Sequence, residues 1–249
     1  MDSTYDGIRV EQQDDRVVVT LDRPEVKNAI DAAMVDSLHA ICGDLERDPV
    51  PLILTGGTGI FAAGADIAQL RGRTRIDALA GINSGLFDRI ARLPMPTVAA
   101  VTGPAIGGGA ELAYACDFRI GTPAVRIGNP EGQLGILAAA GAAWRLPELI
   151  GEPLAKEILL AGRTLDAGEA LAVGLLNEVV SADALMQTAH RWVDRILRNA
   201  PLALRLTKLA LRAPREAHPV FDNVAQAILF ETDEKHQRMD AFLARRRNR

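Results

Sequence analysis

Histidine, cysteine and aromatic residues are all scarce in this chain of 249 residues, and each shortage closes a chemical route. The four histidines, His39, His190, His218 and His236, are scattered and form no i, i+4 pair, and Cys42 and Cys116 are isolated. Metal-ligand spacing is therefore absent and no metal is expected. Two cysteines supply no disulfide framework, and Met1 to Gln12 is polar and acidic rather than charged then apolar. A reducing, cytoplasmic setting is expected on that basis. The longest apolar stretch, Leu134 to Trp144, runs to 11 residues, against roughly 20 for a membrane helix. No span is expected. Positive charge is in deficit too, with a formal net charge of −4. Outside the cluster Arg245, Arg246, Arg247 and Arg249 there is no electrostatic footprint for nucleic acid.

Several familiar motifs are missing as well. No Gly-x-Ser-x-Gly is present, so serine hydrolase chemistry is not indicated. Gly59 to Gly64 has the glycine spacing of a phosphate loop, but Ala65-Asp66 stands where Lys-Ser/Thr would hold phosphate and magnesium. After Gly107 and Gly109 the position for the third glycine of a dinucleotide fingerprint is Leu112.

What remains is an ordinary globular composition, 48% hydrophobic and 24% charged, with ample material for one large domain or one domain with an appendage. Gly7 to Gln13 and Arg16 to Asp22 read as two extended runs around Asp14-Asp15, a β-hairpin. Met34, Leu38, Ile41, Cys42 and Leu45 recur at helical spacing behind Asp31, a suitable N-cap. Short apolar strands at Leu52 to Thr55, Thr97 to Thr102 and Asp117 to Ile120 alternate with helical stretches, among them Arg75 to Arg92. That is an α/β pattern. Beyond Leu146 strand signal is confined to Asn177 to Val180, and helices dominate through Arg195, Pro201 to Arg212, Val220 to Phe230 and Thr232 to Arg247. A core spanning 1–190 followed by a helical module spanning 191–249 is expected.

Three short segments carry the chemistry: Phe61-Ala62-Ala63-Gly64-Ala65-Asp66, Gly107-Gly108-Gly109-Ala110-Glu111 and Asn129-Pro130-Glu131. Two backbone amides can converge on one oxygen only where no side chain blocks the approach, which suits the small residues of the first two segments. The second and third each supply a carboxylate. Singly they read as a turn into a helix and as solvated glutamates in first helical turns. Together, and with Leu21-Asp22-Arg23-Pro24, Asn28-Ala29, Cys116-Asp117, Gly162-Arg163, Gly174-Leu175 and Met239 to Leu243, they resemble the enoyl-CoA hydratase/isomerase, or crotonase, family over most of the chain.

The resemblance implies a spiral of ββα repeats with C-terminal helices that join subunits into trimers or dimers of trimers. It implies an oxyanion hole from the N–H groups of Ala65 and Gly108, with Glu111 and Glu131 as the acid/base pair. The substrate would be an acyl-CoA thioester, so that coenzyme A enters as part of the substrate and no further cofactor is needed. Ala63 would meet adenine through its backbone, and Arg23 and Lys27 would lie near the CoA phosphates. Asp66 would border the nucleotide end of the pocket or simply cap the helix from Ile67. Phe242 and Arg245 stand where the family reaches a neighbouring subunit's CoA.

One departure stands out. The family's Pro-Gly-x-Gly-Gly turn before Arg-Leu is here Ala138-Ala139-Ala140-Gly141-Ala142-Ala143-Trp144 before Arg145-Leu146. An alanine forced to φ > 0 would cost on the order of 1 kcal/mol or more, which would shift Glu131 or the attacking water, and Trp144 would narrow the space. Hydration of a 2-enoyl-CoA is the leading reading. A double-bond isomerase or other acyl-CoA lyase chemistry, and a non-catalytic acyl-CoA binding protein, are the alternatives.

Overall fold

A turn at Asp14-Asp15, closed by Gln13 N–H donating to Arg16 O at 3.0 Å, joins β1 (Ile8–Gln12) to β2 (Val17–Leu21) as an antiparallel hairpin. The computed structural model describes residues 5–247, so Arg249 lies outside the described residues. Asp31 caps α1 (Ala32–Arg47) by accepting from Met34 N–H at 2.8 Å, and the stripe Met34, Leu38, Ile41, Cys42 and Leu45 is buried. The next strand, β3 (Leu52–Thr55), is buried along its whole length, as a parallel strand covered on both faces should be.

The stretch expected as one helix from Arg75 to Arg92 is divided. After α2 (Ile67–Gly72), α3 (Arg75–Ala80) opens with a capping box between Thr74 and Asp77, and Gly81 in the left-handed region (φ 65°) separates it from α4 (Ile82–Ala91). The apolar periodicity ran on across a glycine that only a change of direction explains. Leu86, Phe87 and Ile90 of α4 are buried, whereas Ile76 and Leu79 of α3 are exposed.

The chain then passes through β4 (Thr97–Val101), β5 (Ala105–Ile106), α5 (Gly108–Ala115), β6 (Phe118–Gly121) and β7 (Arg126–Gly128). It continues into α6 (Ala142–Ile150), α7 (Glu152–Ala161), β8 (Thr164–Asp166), α8 (Ala167–Ala172), β9 (Glu178–Val179) and α9 (Leu185–Leu197). A six-stranded sheet runs β1-β2-β3-β4-β6-β9, parallel except for the hairpin, and a three-stranded sheet runs β5-β7-β8. That smaller sheet was not anticipated. Its strands of two or three residues are too short to show any alternation.

Two compact units divide after Val193, inside α9. The second carries α10 (Pro201–Arg212), α11 (Val220–Phe230) and α12 (Asp233–Arg247), with Pro201 in the first turn of α10. No helix among the described residues is long and apolar enough to cross a membrane.

Candidate active site

The backbone register sets the site. A parallel bridge pairs Ala62 with Ala105, and three residues further along each segment stand Ala65 and Gly108. Ile30 pairs with the residues flanking Ala65, donating to Gly64 O at 2.8 Å and accepting from Asp66 N–H at 3.0 Å. Alternate residues of a bridged segment face opposite ways, so the Ala65 N–H points away from Ile30. Gly108, first residue of α5, carries one of the N–H groups that a helix leaves unpaired at its start. A methyl carbon placed on Gly108 would lie 3.3 Å from Ala65 N, so the two amides are neighbours. Neither donates to another protein group among the described residues.

Gly109 makes this approach possible. A Cβ there would fall 2.3 Å from Ala62 O, closer than any real contact, so only glycine lets α5 settle against the 61–66 segment. Asn28 braces that segment from behind, its Nδ2 donating to Gly56 O at 2.9 Å and Phe61 O at 3.1 Å.

Glu111 follows Gly108 by one helical turn, which puts carboxyl and amide on the same face of α5. Glu131 arrives by the smaller sheet. Ile106 of β5 is paired with Gly128 of β7, and Gly107 N–H donates to Gly128 O at 2.8 Å, so the residues leaving both strands emerge side by side. The separation in sequence between the two glutamates is thus closed by a single strand pair.

Glu111 is 3% exposed. Its Oε1 accepts from Ala140 N–H at 2.8 Å and Ala142 N–H at 3.0 Å, and Oε2 takes part in neither bond. The alanine-rich turn therefore grips Glu111 directly. Gly141, at φ 139°, is its one position in the left-handed region, and none of the neighbouring alanines has positive φ. The expected strain is absent because the single position that needs glycine has kept it. Trp144 does not narrow the space either: it is 44% exposed, lies outside the pocket wall, and stacks against the Arg145 guanidinium.

Burial pushes the Glu111 carboxyl up to about 7, helped by the nearby charge of Glu131 and opposed by the two amides and Arg145. Burial raises Glu131 as well, against its own backbone N–H and a 3.4 Å hydrogen bond from Asn129 Nδ2 to its Oε1. The Oε2 of Glu131 is buried with no hydrogen-bond partner among the described residues. With both carboxyls raised by burial and the charge of Glu131 acting on Glu111, the site favours keeping one of them protonated beside the other.

The shift has a consequence for stability. A carboxyl whose folded value exceeds its ordinary 4.5 favours the folded state below that value, and the contribution is lost as pH rises through about 7. Glu111→Gln, which keeps the Oε1 acceptor, is expected to match the parent near pH 4 and to exceed it by about 3 kcal/mol above pH 8. Thermal melts at both pH values check this; equal melting temperatures at high pH would contradict it.

Ala63, Ala65, Gly108, Glu111 and Glu131 line one pocket of about 470 Å³. Its far wall is α2 to α4, including Ile67, Leu70, Arg73 and Ile82. Asp66 does not line it. That carboxylate caps α2, accepting from Ala68 and Gln69 N–H at 3.0 and 3.1 Å. Arg23 pairs with Asp31 at 2.9 Å and Asp66 at 3.8 Å and donates to Ala29 O, so its charge is largely spent within the fold. Lys27 is exposed and has no ion pair among the described residues; its carbonyl accepts from Ala63 N–H at 3.0 Å. Phe242 and Arg245 are exposed on α12 in the second unit. Missed by sequence reasoning were the amides of Ala140 and Ala142, because main-chain donors carry no residue signature, and the role of Asn129, although it stood inside a quoted segment.

Two adjacent unpaired amides and two buried carboxyls in one pocket equip an enzyme that polarises a carbonyl while moving protons on neighbouring atoms. The enoyl-CoA hydratase/isomerase model matches residues 11–248, and the chain belongs to that family. It is 34% identical to the short-chain-enoyl-CoA hydratase of Clostridium acetobutylicum, over 97% of this chain and 96% of the relative. It is 33% identical to the crotonyl-CoA hydratase of Syntrophomonas wolfei, over 98% and 97% respectively. The crystal structure of enoyl-CoA hydratase from Bacillus anthracis superposes with a TM-score of 0.89 at 30% identity, covering 96% of each chain. The architecture is the expected crotonase fold.

Proposed function

We propose that this enzyme adds water across the 2,3 double bond of a 2-enoyl-CoA thioester. The observation that carries the reading is the adjacency of the unpaired Ala65 and Gly108 amides, in the same pocket as Glu111 and Glu131. The thioester oxygen sits between the two amides. Glu111 takes a proton from water as the water oxygen bonds to C3, the π electrons move toward the thioester oxygen, and Glu131 delivers a proton to C2. A Glu111 held through Oε1, with Oε2 outside both bonds, favours hydration over isomerisation, which needs a single carboxylate. The chemistry uses no cofactor beyond the CoA of the substrate. Loss of the conjugated thioester absorbance of crotonyl-CoA and longer enoyl-CoA substrates tests the reading, before and after dialysis against a chelator. Activity unaffected by the chelator is expected. Activity restored only by a divalent metal would overturn the cofactor-free mechanism, and a wild type inert toward every enoyl-CoA would leave a binding protein.

Lys27 is the better placed cation for the CoA phosphates, since Arg23 is already paired. Phe242 and Arg245 serve the same moiety from an adjoining subunit, and Ala63 meets the adenine. In the second unit Val220, Val224, Ile228, Met239, Phe242 and Leu243 are each about half exposed or more, an apolar surface that subunit contact would cover. A trimer or dimer of trimers is expected by light scattering at micromolar concentration, and a monomer mass would refute it. The free buried cysteines suit a reducing cytoplasm.

A further inference from the structure

Tyr114 and Asn129 are both buried beside Glu131, and the hydration steps use neither. Tyr114 lies one turn beyond Glu111 on α5, and its hydroxyl donates to Asn129 Oδ1 at 3.1 Å. Asn129, just after β7, donates through Nδ2 to Gly107 O at 3.3 Å and to Glu131 Oε1 at 3.4 Å. The amide is held in one orientation from two sides. Turned over, its oxygen would face a carbonyl and a carboxyl oxygen, and its nitrogen would face the hydroxyl without accepting from it.

This orientation has a consequence for the acid. Nδ2 donates and cannot accept, so Glu131 Oε1 must keep a lone pair toward it in either protonation state. A carbonyl oxygen accepts better than a hydroxyl oxygen, so the carboxyl proton falls to Oε2, the oxygen that has no protein partner among the described residues. We infer that Tyr114 and Asn129 are positioning residues that keep the acidic proton of Glu131 on Oε2, the oxygen available to substrate. This inference rests on the hydratase reading for its kinetic expression but not for its effect on the titration of Glu131.

The charged and titratable groups around Glu131 are Glu111 and Tyr114 of α5, with Arg145 of α6 acting on Glu111. Burial keeps the Tyr114 hydroxyl protonated at any ordinary pH. The donor from Asn129 favours ionised Glu131, so its removal raises the carboxyl further. Because the acid must carry a proton to work, the alkaline limb of the kcat profile then moves to higher pH.

The experiment measures Glu131 directly by carbon-13 carboxyl NMR in a Glu111→Gln background, where the coupled partner is gone, with Glu131→Gln assigning the resonance. Asn129→Ala is expected to raise the Glu131 pKa by about one unit. In the otherwise unaltered enzyme the alkaline limb of kcat should move the same way, with kcat at pH 7 lowered and KM for crotonyl-CoA within about twofold. Tyr114→Phe should act in the same direction by roughly 0.3 unit or more, since Gly107 still holds the amide. Asn129→Asp separates positioning from packing. It keeps the size but replaces the donor by an acceptor, so it must be worse than Asn129→Ala, whereas a space-filling role makes it better. An unmoved Glu131 titration in Asn129→Ala, or Asn129→Asp equal to the parent, overturns the inference. If Asn129→Ala does not fold, an unmoved titration in Tyr114→Phe overturns it. A parent without hydratase activity sinks the proposed function alone, because the titration still reads the hydrogen bond.

Discussion

Replacing either glutamate with glutamine is expected to lower crotonyl-CoA hydration by at least about 10²- to 10⁴-fold, the range for groups that exchange protons in a transition state. The substitution keeps volume, and in Glu111→Gln the side-chain oxygen still accepts from Ala140 and Ala142, so the turn stays in place. Substrate binding should persist in both variants, measured by calorimetry with a saturated acyl-CoA. The pattern separates the enzyme classes. An isomerase would be crippled by Glu131→Gln and indifferent to Glu111→Gln, because no water has to be activated. Full hydratase activity in Glu111→Gln would refute the two-glutamate mechanism.

Gly108→Val should be nearly as damaging, for a different reason. Its backbone is not in the left-handed region, so valine meets no φ penalty, but its Cβ would stand only 3.3 Å from Ala65 N, where the backbone must give by a few tenths of an ångström, and a modest loss of melting temperature is expected. The added side chain, however, grows from a point 3.3 Å from Ala65 N, across the mouth between the two amides. Denying the thioester oxygen one donor costs roughly 10²- to 10³-fold in kcat in other enzymes, and a branched group obstructs both. Turnover within about tenfold of the parent would mean that the oxygen is stabilised elsewhere.

Which parts of this were readable in advance follows from the range of the forces involved. The hairpin at Asp14-Asp15, the cap at Asp31 and the buried stripe of α1 are local events, settled within a few residues of the signal, and they stand where periodicity put them. The smaller sheet was invisible because strands of two or three residues carry no readable alternation, yet that sheet brings Glu131 back to Glu111. The alanine-rich turn was misjudged for a related reason. Counting glycines treated every position as equally demanding, whereas the backbone demands one only at Gly141. Family resemblance supplied the pairing of segments that local pattern lacked, and the register between Ala62 and Ala105 supplies its physical cause.

The pocket is bounded on one side by these interlocked strands and on the other by α2 and α3, two helices of six residues each separated from α4 by Gly81. Neither short helix contains a buried residue. Substitutions along them leave the core packing almost untouched, while a single methyl group on Gly109 would meet Ala62 O head-on. The molecule thus separates what must stay constant from what is free to drift. Side chains along 67–80 can therefore change the outline of that side of the pocket while the strand pairings that hold Ala65, Gly108 and Glu131 keep their register.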